Sequence, residues 1–568
     1  MDLKALVKSI ISTLAFIYLT KAISYTGIFS LFIMAVLYFA YSAIETDRNI
    51  FVKLGAAVFG IFAVLNCFQV NVYDEVLGIY TTASKVLIIL LIFAGVYLFM
   101  EAVLSLLYHL FDLEREEGEM KFSPNRLFII SFIALIIIYL PVWLMEYPSN
   151  ISPDTIDQIN QILSGVYRNH HPFAHTMWLK LLMSFSDEIN LRVGIAALLQ
   201  LIINSAVFSL VIRKVYVKTK KLFYGILTFF FYSVLSFHAF YSITLIKDVT
   251  HATIACLLLM SLIDYFDSEG KKKTVALVLT AVFSLCFCLF RSNGYYAFVI
   301  TIIFAFVYMF MKKDYKLIIS MVLVFILATV IKGPVYTSMG ISKASSVESL
   351  SVPVQQIALT VKNGKELTKE ERQLLNKVVD VSKLNEAYDV FLSDPVKNLY
   401  NERGNLRYLS DNKMAYLKMW IDIGMRNPLE YIQAWVNQCS GYFSPHYYST
   451  SIFWSVWENS FGVKANRLLI PKEVSSVLHD LAYYQHEIPL LGWLHYPSVT
   501  TWILIVLFFY GLRNRDMETV IVISPLAGIF LTLLISCPFN LCFRYYYAAV
   551  AVLPLVCLKA LKKGREEA

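Results

Sequence analysis

The sequence predicts an all-α polytopic membrane protein of about 11–14 transmembrane helices, carrying a mainly helical extracytoplasmic insert. Three observations predict it. Of the 568 residues, 58% are hydrophobic and 16% charged, against roughly 45–50% and about 25% in soluble domains. Apolar runs of membrane-spanning length recur along the chain. The 49 basic residues are unevenly shared between alternate loops, the asymmetry expected of cytoplasmic anchoring. Together these exclude a soluble multidomain protein, a disordered chain and a disulfide scaffold.

The runs fall near 8–20, 26–44, 52–70, 86–109, 127–146, 193–212, 222–243, 249–264, 274–290, 295–311, 316–331, 498–512, 518–536 and 545–560. The first follows Lys4 and Lys8 and reads as a span rather than a cleaved leader, because another apolar run follows within a few residues. With the N-terminus inside, the short loops on the cytoplasmic side hold 24 Lys and Arg, from Lys4 to Arg565, and the short loops opposite hold eight. The formal charge of +8 therefore needs no nucleic-acid partner; it anchors both termini and the inner loops against anionic lipid.

In chain order, residues 1–126 form N-terminal transmembrane helices and 127–332 a transmembrane core with a first outer loop at 147–192. An extracytoplasmic helical domain spans 333–497, and 498–568 return to the membrane. In the outer loop, Ser152, Pro153 and Asp154 precede Ile156, Ile159 and Leu163 with polar residues between them, a short amphipathic helix at the membrane face. A second such helix runs through Phe173, Met177, Trp178 and Leu181 after the breaker Pro172. The 333–497 segment has 16 basic and 16 acidic residues and helical patterns at 366–381, 384–400 and 410–440. Its aromatic stretches Tyr442–Phe443 and Phe453–Trp457 read as interfacial. Cys537 and Cys542 lie together in an outer loop, close enough in sequence to pair, without the spacing of a zinc site.

Ionisable residues at the outer ends of spans are the informative ones, because charge beside hydrocarbon is costly. Asp154 at a helix start is an N-cap, with Asp157 three residues on completing a variant capping box; its functional reading is a carboxylate that takes a proton from an attacking hydroxyl. Lys247 and Asp248, between two spans, form a structural ion pair or turn, or else contact a phosphate through Lys247 and a divalent cation or sugar hydroxyls through Asp248. Arg291, in the short connection Arg291-Ser292-Asn293-Gly294, is a snorkelling cation or a phosphate clamp. Arg544, beside Tyr545, reads first as an interfacial anchor. His170 and His171 lack a third partner at metal-ligand spacing and read as substrate-positioning groups.

A many-span bundle whose first outer loop holds Ser152-Pro153-Asp154 and then His170-His171-Pro172, followed by Lys247-Asp248 and Arg291 at later outer span ends, resembles the GT-C superfamily of integral membrane glycosyltransferases. The resemblance covers 127–331 in motif and the remainder in layout. It implies an inverting transfer of sugar from a polyprenyl-phosphate-linked donor to an extracytoplasmic glycan, lipid or protein acceptor. By the same resemblance Asp154 is the general base, Lys247 and Arg291 hold the lipid phosphate, and Asp248 is a metal contact, for a divalent cation such as Mg or Mn, or an acceptor contact. Beside these, their place on the outer side makes Arg544 a further donor-phosphate candidate, and Asp157, His170, His171 and Tyr545 candidates for contact with the acceptor. The pattern departs from the superfamily in having Asp154-x-x-Asp157 rather than Asp-x-Asp, and in the roughly four spans that precede the matching region. Two other classes share part of this pattern. A polysaccharide polymerase or ligase acting on lipid-diphosphate glycans relies on outer-loop cations rather than on Asp154, and a lipid or glycan flippase places ionisable groups at mid-membrane.

Overall fold

In hydrocarbon each backbone polar group must be satisfied within its own segment, so the apolar runs fold as helices. The computed structural model describes residues 2–20, 27–78, 80–113, 118–445, 455–540 and 542–558. Among them, nine helices are long and apolar enough to cross a bilayer. The bent pair Leu222–Val234 and Ser236–Ile243 makes a tenth if taken as one span, and the shorter apolar helices Ile28–Ala43, Ile50–Asn66 and Pro497–Arg513 occupy three further runs. The protein is an all-α polytopic membrane protein. Lys21, Arg115, the cations from Lys559 to Arg565, and Phe453 and Trp454 lie outside the described residues.

Sequence signals set the helix ends. Ser123 accepts from the Arg126 N–H and Pro124 opens the helix Pro124–Met145, because proline has no N–H to lose in a first turn. Lys247–Asp267 is the central helix. Its mean hydropathy is only 1.6, yet 83% of its apolar window is buried, more than in any other candidate span. Protein rather than lipid surrounds it, which is what allows it to carry polar residues.

Two expectations are revised in the bundle. The run 222–243 breaks at Leu235 with a bend of 61°. Both broken ends are satisfied by Gln485, which accepts from the Ser236 N–H at 2.8 Å and donates to the Val234 carbonyl at 2.7 Å. The run 545–560 is described as far as 558 as two short buried helices, Phe543–Ala551 and Leu553–Cys557; at 1.5 Å per residue neither crosses a bilayer alone.

The insert divides in its packing. Val354, Ile357, Leu375, Val396, Tyr400 and Ile423 belong to a core of its own, whereas Val436, Tyr442, Phe443, Val463 and Ala482 join the core of the bundle. Its helices include Lys369–Asn376, Asp394–Arg403, Lys413–Arg426 and Pro428–Cys439, with Ser351–Lys362 and Lys472–Tyr483 beyond the expected patterns. Pro428 interrupts the 410–440 pattern because it lacks the N–H that a continuous helix needs. Tyr442 and Phe443 are not interfacial. Both are buried, with Phe443 stacked on Phe62 at 5.0 Å and Tyr442 edge-on to Tyr546 at 5.9 Å. Cys537 and Cys542 are both free thiols and buried.

Candidate active site

The loop 147–192 begins as expected with a helix, Pro153–Ser164, which Gly165 ends in a left-handed turn at φ 73°. Its cap is Ser152, whose Oγ accepts from the Thr155 N–H at 3.4 Å. This overturns the reading of Asp154 as the N-cap and of Asp157 as its box partner. One residue inside the helix, Asp154 is released from backbone duty and turns to other side chains.

Those side chains are Lys247 and Arg544. Lys247 Nζ donates to Asp154 Oδ2 at 2.7 Å, and Arg544 Nη1 donates to the same oxygen at 3.0 Å. The three groups are partly open, with 21% of the Asp154 side chain and 15% of each cation exposed. Burial pushes the Asp154 carboxyl up, but the Lys247 and Arg544 charges outweigh it and hold the group well below the usual carboxylate range.

The backbone that brings these residues together is laced from both sides. Ser149 Oγ donates to the Ile243 carbonyl at 2.7 Å, and Thr155 Oγ1 donates to the Leu245 carbonyl at 2.9 Å. Asn150 and Thr244 form a parallel bridge. From the opposite side Gln200 Nε2 donates to the carbonyls of Ser242 and Thr244 at 3.2 and 2.9 Å. The extended segment 244–246 is thereby fixed, and Lys247, the first residue of its helix, faces Asp154. Arg544 arrives through a second set of bonds. Asn540 Nδ2 donates to the Asn437 carbonyl at 2.6 Å and to Ser440 Oγ at 3.0 Å, and Tyr442 Oη donates to the Cys542 carbonyl at 3.0 Å.

His171 is part of this cluster. Its Nδ1 accepts from Lys247 Nζ at 2.9 Å, and its Nε2 lies 3.6 Å from Asp157 Oδ2. Burial first, then the Lys247 charge, pushes His171 down to about 2. The ring is therefore neutral, with Nδ1 as the acceptor and the proton on Nε2. Asp157 also accepts from Arg168 at 2.5 Å and from Gln161 at 2.8 Å, so it is spent on holding the loop. His170 is exposed and lies edge-on to the His171 ring at 4.6 Å.

Asp248 and Arg291 form an ion pair in which Asp248 is fully buried and Arg291 is 6% exposed. The Arg291 guanidinium also lies 5.4 Å from the Tyr545 ring centre, and Arg544 lies 5.1 Å from the same ring. Tyr545 thus lies against both guanidiniums. The break that carries Arg291 depends on Gly294, where a Cβ would run into the Phe287 carbonyl and His251 Nε2. In the structure Asp248, expected to hold a divalent cation, is paired with Arg291. A guanidinium already neutralises it, and among the described residues no group of three or more His, Cys, Asp or Glu converges to hold a metal. The same pair turns Arg291 inward to Asp248 and leaves Lys247 and Arg544 as the partly open cations.

The sequence reading passed over the supports. Thr155, Gln158, His175 and Gln200 are all buried; His175 Nδ1 is 3.0 Å from Gln158 Oε1, and Gln158 Nε2 donates to Thr176 Oγ1 at 2.9 Å. The available signal was Gln200 inside an apolar run, since a polar side chain at membrane depth has a partner to satisfy.

Residues 163–568 match the family described as family of unknown function (DUF6020). No curated protein and no solved structure matches the chain.

Proposed function

The chain belongs to the DUF6020 family, and from its site we propose that it is a membrane glycosyltransferase, moving a sugar from a polyprenyl-phosphate-linked donor to an extracytoplasmic acceptor. The observation that carries the reading is the partly open Asp154 carboxylate set between Lys247 and Arg544. A carboxylate beside two cations is the equipment for taking a proton from an acceptor hydroxyl while stabilising a phosphate leaving group.

In this reading the donor enters laterally, and its phosphate is held by Lys247 and by the guanidinium of Arg544, which can engage two phosphate oxygens. The acceptor oxygen attacks the anomeric carbon from the face opposite the phosphate. The new glycosidic C–O bond forms as the bond from that carbon to the phosphate oxygen breaks; its electron pair leaves with the polyprenyl phosphate, and the acceptor proton passes to Asp154. The configuration inverts. His171 holds Lys247 in place through its neutral ring. Tyr545 lies against the Arg544 and Arg291 guanidiniums, while Asp248 neutralises Arg291 inside the protein. The cation surplus of the alternate short loops supports both termini in the cytoplasm and this end of the bundle outside.

The test is transfer by the purified protein in lipid bilayers from radiolabelled polyprenyl-phosphate-linked sugars. Asp154→Asn is expected to lower the rate by about 10²–10⁴-fold, the usual worth of a general base. Undiminished transfer in that variant removes Asp154 from the role.

A further inference from the structure

As it stands, Asp154 is a poor base. Both cations meant for the donor phosphate are bound to its Oδ2, and they hold it ionised. The groups that face it come from three elements: His171 from the first outer loop, Lys247 from the central helix and Arg544 from the helix Phe543–Ala551. We propose that Asp154 is the built-in counter-anion of the site, standing between Lys247 and Arg544 where phosphate oxygens bind, and that it becomes a proton acceptor only when an incoming lipid phosphate takes both cations from it. The identity of that anion rests on the glycosyl-transfer reading; the competition between carboxylate and phosphate does not.

The charges support this assignment. Asp248 cancels Arg291 and Asp157 cancels Arg168. His171 is neutral. Asp154, Lys247 and Arg544 are left with one surplus positive charge. A sugar joined to a lipid through one phosphate is a diester with one negative charge, so its arrival brings the cluster to neutrality. At transfer the phosphate becomes a monoester and gains a second negative charge as the C–O bond breaks toward it, while Asp154 loses its own by taking the acceptor proton. The cluster is neutral before and after, and no charge is stranded at the bilayer edge, where it is expensive. A diphosphate-linked donor overfills the same cluster by one negative charge. The site is therefore matched to a single phosphate, and the acceptor hydroxyl finds a competent base only after the donor is in place.

The experiment measures binding, with no sugar present. Radiolabelled undecaprenyl phosphate and undecaprenyl diphosphate are titrated separately, in phosphatidylcholine nanodiscs, against wild type, Asp154→Asn and Asp154→Glu, with inorganic phosphate as a third probe. Removing the competing carboxylate is expected to tighten undecaprenyl phosphate binding about tenfold in Asp154→Asn, the scale of one charge-assisted bond in a partly open site. Asp154→Glu keeps the charge and stays near wild type, which also controls for misfolding. Lipid monophosphate is expected to bind tighter than diphosphate. Unchanged or weaker binding in Asp154→Asn overturns the proposal. Equal gains for inorganic and lipid phosphate overturn the lipid assignment and make free phosphate the ligand. Failure of the wild-type protein to transfer sugar, alongside a tenfold gain in lipid phosphate binding in Asp154→Asn, removes the glycosyltransferase reading and leaves the counter-anion role standing.

Discussion

Thr155 Oγ1 donates to the Leu245 carbonyl at 2.9 Å across ninety residues of chain. The bond ties the helix that carries Asp154 to the extended segment that delivers Lys247, and a carbonyl of the buried Leu245 needs a partner within the protein.

Thr155→Val keeps the shape and removes the donor. It is expected to cost about 1–3 kcal/mol for the orphaned carbonyl, read as a lower midpoint of thermal unfolding in detergent, with transfer reduced because Asp154 and Lys247 lose register. Thr155→Ser restores the hydroxyl and is expected to recover most of both.

Breaking the buried Asp248–Arg291 pair from one side leaves an uncompensated charge. Arg291→Met and Asp248→Leu are each expected to destabilise by about 3–5 kcal/mol, while the double variant loses less than either single one. A double-mutant cycle on thermal unfolding checks this. Since Asp248 is spent on Arg291, the transfer reaction is expected to persist in a chelator; its abolition by chelation, with recovery on adding Mg or Mn, returns a cation to the site.

His171 is pushed down to about 2 and His175, by burial and then the Lys247 charge, to about 3. Both folded values lie below the unfolded value of about 6.5. The unfolded chain therefore takes up protons that the native protein refuses, and stability falls as pH drops below about 6.5, by roughly 1.4 kcal/mol per pH unit for each ring. Unfolding midpoints measured from pH 7.5 to 4.5 are expected to decline, less steeply in His171→Gln. A flat profile shows that these rings are not held neutral.

Gln485 serves both ends of the break at Leu235. Gln485→Leu is expected to cost about 1–3 kcal/mol for each polar group left without a partner. Increased hydrogen exchange at the Ser236 amide is the local sign of it.

The sidedness rests on cation counts and is open to labelling. A cysteine at Ser346, exposed in the insert, is expected to react with a membrane-impermeant maleimide on intact cells. One at Lys271, also exposed, is expected to react only after lysis. The reverse result turns the protein over and puts Asp154 in the cytoplasm.

Much of this architecture was legible in one dimension. Apolar runs and their flanking charges are local quantities, so the spans could be read without knowing any neighbour. The helix after Ser152-Pro153 and the helix after Pro172 were legible too, because a cap and a missing N–H act within one turn. The bend at Leu235 was not, since the side chain that satisfies its broken ends, Gln485, lies 250 residues away. Nor was the division of the insert, which depends on which core receives Val354 and which receives Tyr442.

The candidate site shows the same limit more sharply. Sequence alone picked out Asp154, Lys247, Asp248, Arg291 and Arg544 among the ionisable residues beside the spans of a polytopic bundle, because hydrocarbon permits few. Only the tertiary structure decided their partners: Asp154 with Lys247 and Arg544, and Asp248 with Arg291. Adjacent residues such as Lys247 and Asp248 point to different neighbours once a helix begins between two packed faces. Pairing follows from distance and burial in three dimensions, and neither quantity is written along the chain.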